Sequence, residues 1–239
     1  MSHLFKIFLI FSPLLYAQLP DGVCGTAPMP NDQVIEIKNS IQDWLPNRSR
    51  DTTAIHVLVA WHVITNENGV GDYSNQSIYD CIENLNIDYL EHNIFFTLDT
   101  IDRTVNEDWF NNWYDIHSEG MFALNHDPYH YLNFYTADLL GDGVQGFSYL
   151  GNQFSATHHQ QSVSLDYTRL NSSWVVTHEV GHHLGLPHTF QGNCSEPNDG
   201  IDDTPQHNES GLWSCNSGQD TCPNDPGNDP VNNYMNYST

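Results

Sequence analysis

Residues 178–188 read His-Glu-Val-Gly-His-His-Leu-Gly-Leu-Pro-His and carry the densest chemistry in the chain. His178 and His182 stand four apart, so on a helix both imidazoles project from one face and can grip one metal ion. Glu179 lies beside the first of them, where its carboxylate can reach a metal-activated water without ligating the metal. Gly185 lets the chain leave the helix through a backbone conformation that other residues resist. That turn can swing His188 back as a third ligand, and three imidazoles leave one tetrahedral position open, as catalytic zinc requires. The alternative is coincidence on a solvated helix. With this composition, all five fixed positions match by chance in about one such chain in ten thousand. His183, inside the motif, has no ligand geometry and reads as a packing or surface residue. His158 and His159 form a pair in a polar loop, where a plain loop outweighs a metal role.

The rest of the chain must hold that helix. Its 239 residues suffice for one globular domain and a short extra segment, and 38% hydrophobic content supports a packed core. Residues 7–15 form a short apolar run after Lys6, with Ala17 before a plausible cut at Gln18. This predicts a signal peptide over 1–17, hence a secreted protein, rather than a membrane span, for which the run is too short. Residues 18–50 are rich in proline, contain one helical pattern over 33–45, and end in Arg48-Ser49-Arg50, either a processing site or a surface turn. From Ala54 the pattern changes. Residues 55–61 read as a strand buried on both faces, 78–90 as a helix, and 94–101, 132–135 and 163–167 as strands. Residues 141–151 form a Gly-rich connector between the last two, 174–184 a helix ended by Gly185, and residues beyond 191 loop chemistry. The layout is two-part α/β around one cleft, without internal repeats.

Six Lys and Arg against 30 Asp and Glu give a net charge of -24, which excludes nucleic acid and anionic membranes as partners. Such a surface keeps a secreted protein soluble, and some of its carboxylates are candidates for calcium. Five cysteines, an odd number, include three after the histidine motif, where an oxidising compartment favours disulfides.

These residues resemble the metzincins, whose extended histidine motif is followed by a methionine turn; Asn233-Tyr234-Met235-Asn236-Tyr237-Ser238 matches that turn. Within them the chain is similar to the pappalysin family over residues 51–239, through the motif and Thr189-Phe190, Cys194, Asp202-Asp203-Thr204-Pro205, Cys215 and Cys222. Pro187 and Asn236 depart from the usual Tyr and Asp without removing a ligand or the base. The resemblance implies a metzincin-like α/β (α+β) catalytic domain, with a twisted, mostly parallel sheet and an irregular C-terminal subdomain stapled by Cys194–Cys222. It implies an apolar floor at Met235, an oxyanion or zinc role for Tyr237, and calcium ligands at Asp199, Asp203 and Thr204. Members carry a partner for the cysteine matching Cys215 shortly after the methionine turn; its absence before Thr239 leads to the expectation that the catalytic domain, 51–239, is truncated. Cys24-Gly25-Thr26 resembles a pro-segment cysteine that caps the zinc in some members; the rivals are a structural Cys24–Cys81 disulfide and a non-functional thiol. The expected function is a secreted zinc metalloendopeptidase acting on peptides or proteins. The alternatives are a serralysin-like or matrixin-like protease, disfavoured by the missing nonapeptide repeats and the cysteine-laced loop, and an inactive zinc or calcium adhesion module, disfavoured by Glu179.

Overall fold

A computed structural model describes residues 23–44, 46 and 53–237. The expected signal peptide and the Arg48-Ser49-Arg50 step lie outside the described residues. Six strands form one sheet: β1 (Val23–Cys24), β2 (Ile55–Thr65), β3 (Ile94–Val105), β4 (Tyr131–Ala137), β5 (Val144–Ser148) and β6 (Ser162–Asp166). Their order is β1-β5-β6-β4-β2-β3, and every pair is parallel except β5 with β6. The helices are α1 (Asn31–Trp44), α2 (Asn75–Asp88), α3 (Glu107–Leu124) and α4 (Ser173–His183).

The parallel strands need covering on both faces. On one face Val59, Trp61, Phe134 and Val163 pack with Ile78, Ile82 and Leu85 of α2 and Val175, Val176 and Val180 of α4. On the other, Phe110, Trp113 and Met121 of α3 pack on Ile64, Tyr135 and Phe147. Side-chain caps start two helices: Ser74 accepts from Ser77 N, and Asn106 from Trp109 N.

Four elements depart from the sequence expectation, the first being β1, where the sequence predicts no strand. β2 is not buried throughout: Ile55 is 56% exposed, and burial becomes continuous only from Val59, because β4 joins β2 only from Leu58. The supposed Gly-rich connector contains β5, a fully buried strand. α3 falls where the sequence analysis places no element, although Asn106 and the spacing of Phe110, Trp113 and Met121 carry its signal. Beyond Gln191, as expected, the only regular element among the described residues is a short 3-10 turn, Glu209–Gly211.

Candidate active site

α4 lies between α2, β5 and β6, so residues 175–182 are all buried. The helix ends through Gly185 at φ +97°, where Gly185 N bonds to His182 O and Leu186 N to Gly181 O. His188 thereby returns to the helix face. The Nε2 atoms of His178, His182 and His188 form a triangle with sides of 3.0, 3.1 and 3.2 Å.

The contact between His178 and His182 is not a hydrogen bond. His178 donates Nδ1–H to the backbone oxygen of Tyr234 at 2.6 Å, and His182 donates Nδ1–H to Leu186 O at 2.7 Å. Each Nε2 of that pair therefore carries a lone pair aimed at the centre of the triangle. Burial pushes His178 down to about 4, against the opposing pull of Tyr234 O. Burial also holds His182 and His188 well below the usual histidine range, with neighbouring imidazoles adding to it. Three neutral imidazoles converging on one point fit a soft-to-borderline metal cation.

Supporting residues escaped the sequence reading. Asp88, at the end of α2, accepts Thr177 Oγ1 at 2.6 Å and Tyr234 OH at 2.9 Å, tying α2, α4 and the methionine turn together. A Cβ on Gly181 would lie 2.4 Å from Met235 Sδ, so glycine lets the buried methionine pass directly beneath the helix. A Cβ on Gly146 would lie 2.8 Å from Glu179 Cγ, so a glycine in β5 makes room for the carboxylate. Of these, Gly181 stands inside the motif as its first glycine; nothing in the sequence marks Gly146 or Asp88.

The N-terminal segment fills the cleft. β1 pairs with β5, through Val23 N to Gly143 O at 2.9 Å and Gly25 N to Gly146 O at 2.8 Å. Cys24 Sγ and the three histidine nitrogens all lie within 4.8 Å of one another. The thiol also donates to Glu179 Oε2 at 3.6 Å. Thr26 accepts from Ser148 N, donates to Ser148 O at 3.0 Å, and stands 3.3 Å from Glu179 Oε2. A Cβ on Gly25 would lie 2.6 Å from the Tyr114 ring, which explains the small residue after Cys24. Burial pushes Glu179 up to about 8, while contacts with Cys24 and Thr26 pull it down. Burial, then the Glu179 carboxylate, raise the Cys24 thiol well above its ordinary value in the absence of a cation. Cys24 and Cys81 are both free thiols.

Further along, Met29 and Gln191 exchange two hydrogen bonds of 3.0 and 2.9 Å, and Lys38 on α1 pairs with Asp202 at 2.7 Å. Met29, Val34 and Leu150 form a small buried cluster. The sulfur of Cys24 is therefore one contact among several. The segment is docked through strand pairing, side chains and an apolar cluster.

Tyr237 packs its ring against His188, with centroids 5.0 Å apart, and donates its hydroxyl to Cys24 O at 3.4 Å. His183 faces away from the triangle, its buried Nδ1 without a partner among the described residues. His158 stacks on Phe154 and His159 in a loop. Cys194 and Cys222 are disulfide-bonded. Asp203 and Thr204 line one cavity of about 270 Å³ with Glu196, Asp202 and Asp225, whereas Asp199 is buried beside it, its Oδ1 accepting from Ile201 N at 2.9 Å.

The pregnancy-associated plasma protein-A family of peptidases matches residues 115–239. An extracellular metalloprotease of Neurospora crassa is 34% identical over 197 residues, covering 77% of this chain and 68% of the relative. The chain belongs to the pappalysin family of metalloproteases. A second relative, an extracellular metalloprotease of Pyricularia oryzae, is 32% identical over 236 residues and covers 90% of this chain and 81% of its own. Like these relatives, this pappalysin is an extracellular protein. Tannerella forsythia promirolysin has the same fold, with a TM-score of 0.67 at 22% identity over 90% of this chain and 86% of its own. Mature mirolysin with a cleaved peptide gives 0.64 at 22% identity, over 78% and 84%. No described helix is long and apolar enough to cross a membrane.

Proposed function

We propose that the chain is a zinc endopeptidase held latent by its own N-terminal segment. The observation that carries this is the convergence of Cys24 Sγ on the three histidine nitrogens, directly over Glu179. His178, His182 and His188 would hold the zinc, with Cys24 as fourth ligand in the latent form. A cation there reverses the thiol's preference for its proton, since a coordinated thiol is deprotonated. When bound, zinc supplies Lewis-acid polarisation of the scissile carbonyl and lowers the pKa of water.

The chain's own groups then do the following. Removing β1 leaves β5 as a sheet edge beside the site, which takes an extended peptide by backbone hydrogen bonds. Glu179 accepts the proton of the attacking water and passes it to the leaving amine. Gly146 keeps that carboxylate unobstructed. Tyr237, whose hydroxyl reaches the Cys24 carbonyl in the latent form, donates to the oxyanion once a substrate carbonyl takes that place. The segments follow as a signal peptide over 1–17, a pro-segment over 18–50, and a catalytic domain from 51.

We also propose calcium in the loop after His188. Asn198 Oδ1 and Gln206 Oε1 are buried acceptors without a partner among the described residues, and both line the cavity that holds Asp203 and Thr204. Oxygen acceptors with nearby carboxylates suit a hard cation.

The test is peptide hydrolysis by the protein freed of residues 18–50, measured with a chelator and after adding back zinc or calcium. Loss with the chelator and recovery with zinc is expected. Full hydrolysis in metal-free protein would refute the assignment.

A further inference from the structure

We propose that Asn75 and Asn171 carry N-linked glycans in the secreted protein. The sequence contains six Asn-x-Ser/Thr acceptors, at Asn47, Asn75, Asn171, Asn193, Asn208 and Asn236. The chain is extracellular, and its curated relatives come from organisms with a eukaryotic secretory route. There the donor is a lipid-diphosphate-linked oligosaccharide. The sugar C1–O bond to the diphosphate breaks, the C1–Nδ2 bond to asparagine forms, and Nδ2 gives up one proton to the departing lipid diphosphate. The folded protein must then leave Nδ2 facing water and unneeded.

Asn75 opens α2 and is exposed. Its Oδ1 accepts from Arg103 Nη2 at 2.7 Å, and its Nδ2 has no partner among the described residues. A glycosylated asparagine keeps Oδ1 and one N–H, so the Arg103 contact survives. Asn171 is exposed in the turn before α4, and its side chain makes no hydrogen bond among the described residues. Ser77, two residues beyond Asn75, and Asn171 border one shallow cavity of about 290 Å³, so both glycans leave from one end of the molecule. That cavity shares no lining residue with the histidine site, and His178, the first of the histidines, stands five residues into α4 from Ser173, about 8 Å along the helix. Sugars there shield exposed surface without entering the cleft.

Two other acceptors are spent on the fold. Asn208 Nδ2 donates to Thr221 O at 3.2 Å and to Cys194 Sγ at 3.6 Å, while its Oδ1 accepts from Ser210 N. Asn236 is 1% exposed, with Nδ2 on Pro230 O at 3.3 Å and Oδ1 accepting from Tyr237 N at 2.7 Å. A sugar on either would have to break the methionine turn or the disulfide-stapled loop. Asn193 is exposed, but the middle residue of its acceptor is locked in the disulfide, and it is not assigned a glycan.

The test uses the full chain secreted from a yeast host, with peptide-N-glycosidase in heavy-oxygen water and peptide mass spectrometry. Conversion to aspartate is expected at Asn75 and Asn171 and absent at Asn208 and Asn236. Asn75→Gln and Asn171→Gln should each remove one step of gel mobility shift and leave peptide hydrolysis, measured after removal of residues 18–50, unchanged. If a variant is retained in the cell, the same conversion is read on its microsomal fraction. An unmodified Asn75 or Asn171 peptide overturns the assignment at that residue, and conversion at Asn208 or Asn236 in folded protein overturns the rule that separates them.

Discussion

The backbone oxygen of Tyr234 accepts the Nδ1–H of His178 at 2.6 Å, so the methionine turn sets the tautomer of the first histidine on α4. Asp88 reinforces that link by holding the Tyr234 hydroxyl and Thr177 together. Two segments more than fifty residues apart thus orient one imidazole. Without the turn, His178 could protonate at Nε2 and present a donor where a lone pair is needed.

Gly146→Ala should separate positioning from metal binding. The added methyl would sit 2.8 Å from Glu179 Cγ and 3.1 Å from Ser164 O, so the carboxylate must move. Turnover should fall about tenfold or more, since small misplacements of a base are costly, while stability drops by about 1–3 kcal/mol. Turnover and zinc content measured on one sample decide it: unchanged turnover would remove Gly146 from its role.

How much of this was legible beforehand follows from the range of the interactions. The convergence of His178, His182 and His188 could be read because they are local, related by helix period and one turn. Helices α1, α2 and α4 showed their periodicity for the same reason. β5 did not, because Gly146 and Gln145 break the apolar alternation for the sake of Glu179 and the sheet. Asp88 could not be found at all, since its partners Thr177 and Tyr234 are distant in sequence. The docking of residues 23–38 was equally hidden: strand pairing with β5, the Met29–Gln191 exchange and the Lys38–Asp202 pair leave no local pattern.

That docking sets the expectation for latency. Cys24→Ala in the uncut chain should remain well below the activity of the separated catalytic domain, because Thr26, β1 and α1 still occupy the cleft. Cutting between the segment and the domain should yield full activity only after the fragment dissociates, so dilution should raise the specific activity of the cut mixture. An uncut Cys24→Ala protein as active as the separated domain would show that the thiol alone imposes latency.

Asp199 gives the pH dependence. Burial raises its carboxyl to about 6, against bonds from Ile201 N–H and Thr204 and with a smaller push from Asp203. A raised folded value means that the unfolded chain loses this proton first as pH rises. Stability in a calcium-free buffer should therefore fall between about pH 4 and 6, by up to about 3 kcal/mol. Asp199→Asn should flatten that slope and raise the melting midpoint at pH 7.5. An unaltered profile in the variant would place the titration elsewhere.

Calcium should raise the melting midpoint of the wild-type protein, as any ligand confined to the folded state does. Asp203→Ala, or Gln206→Ala at the cavity wall, should shrink that shift. An equal shift in wild type and both variants would move the calcium site away from this loop.

The most direct measurement of the whole account is hydrolysis of a peptide by Glu179→Gln, with zinc determined on the same protein freed of residues 18–50. The amide keeps the shape of the side chain but cannot accept the proton. Bound zinc equal to wild type with turnover reduced at least about a thousandfold is the predicted result. A variant that retains both its zinc and most of its turnover would contradict the role of Glu179 and, with it, the mechanism.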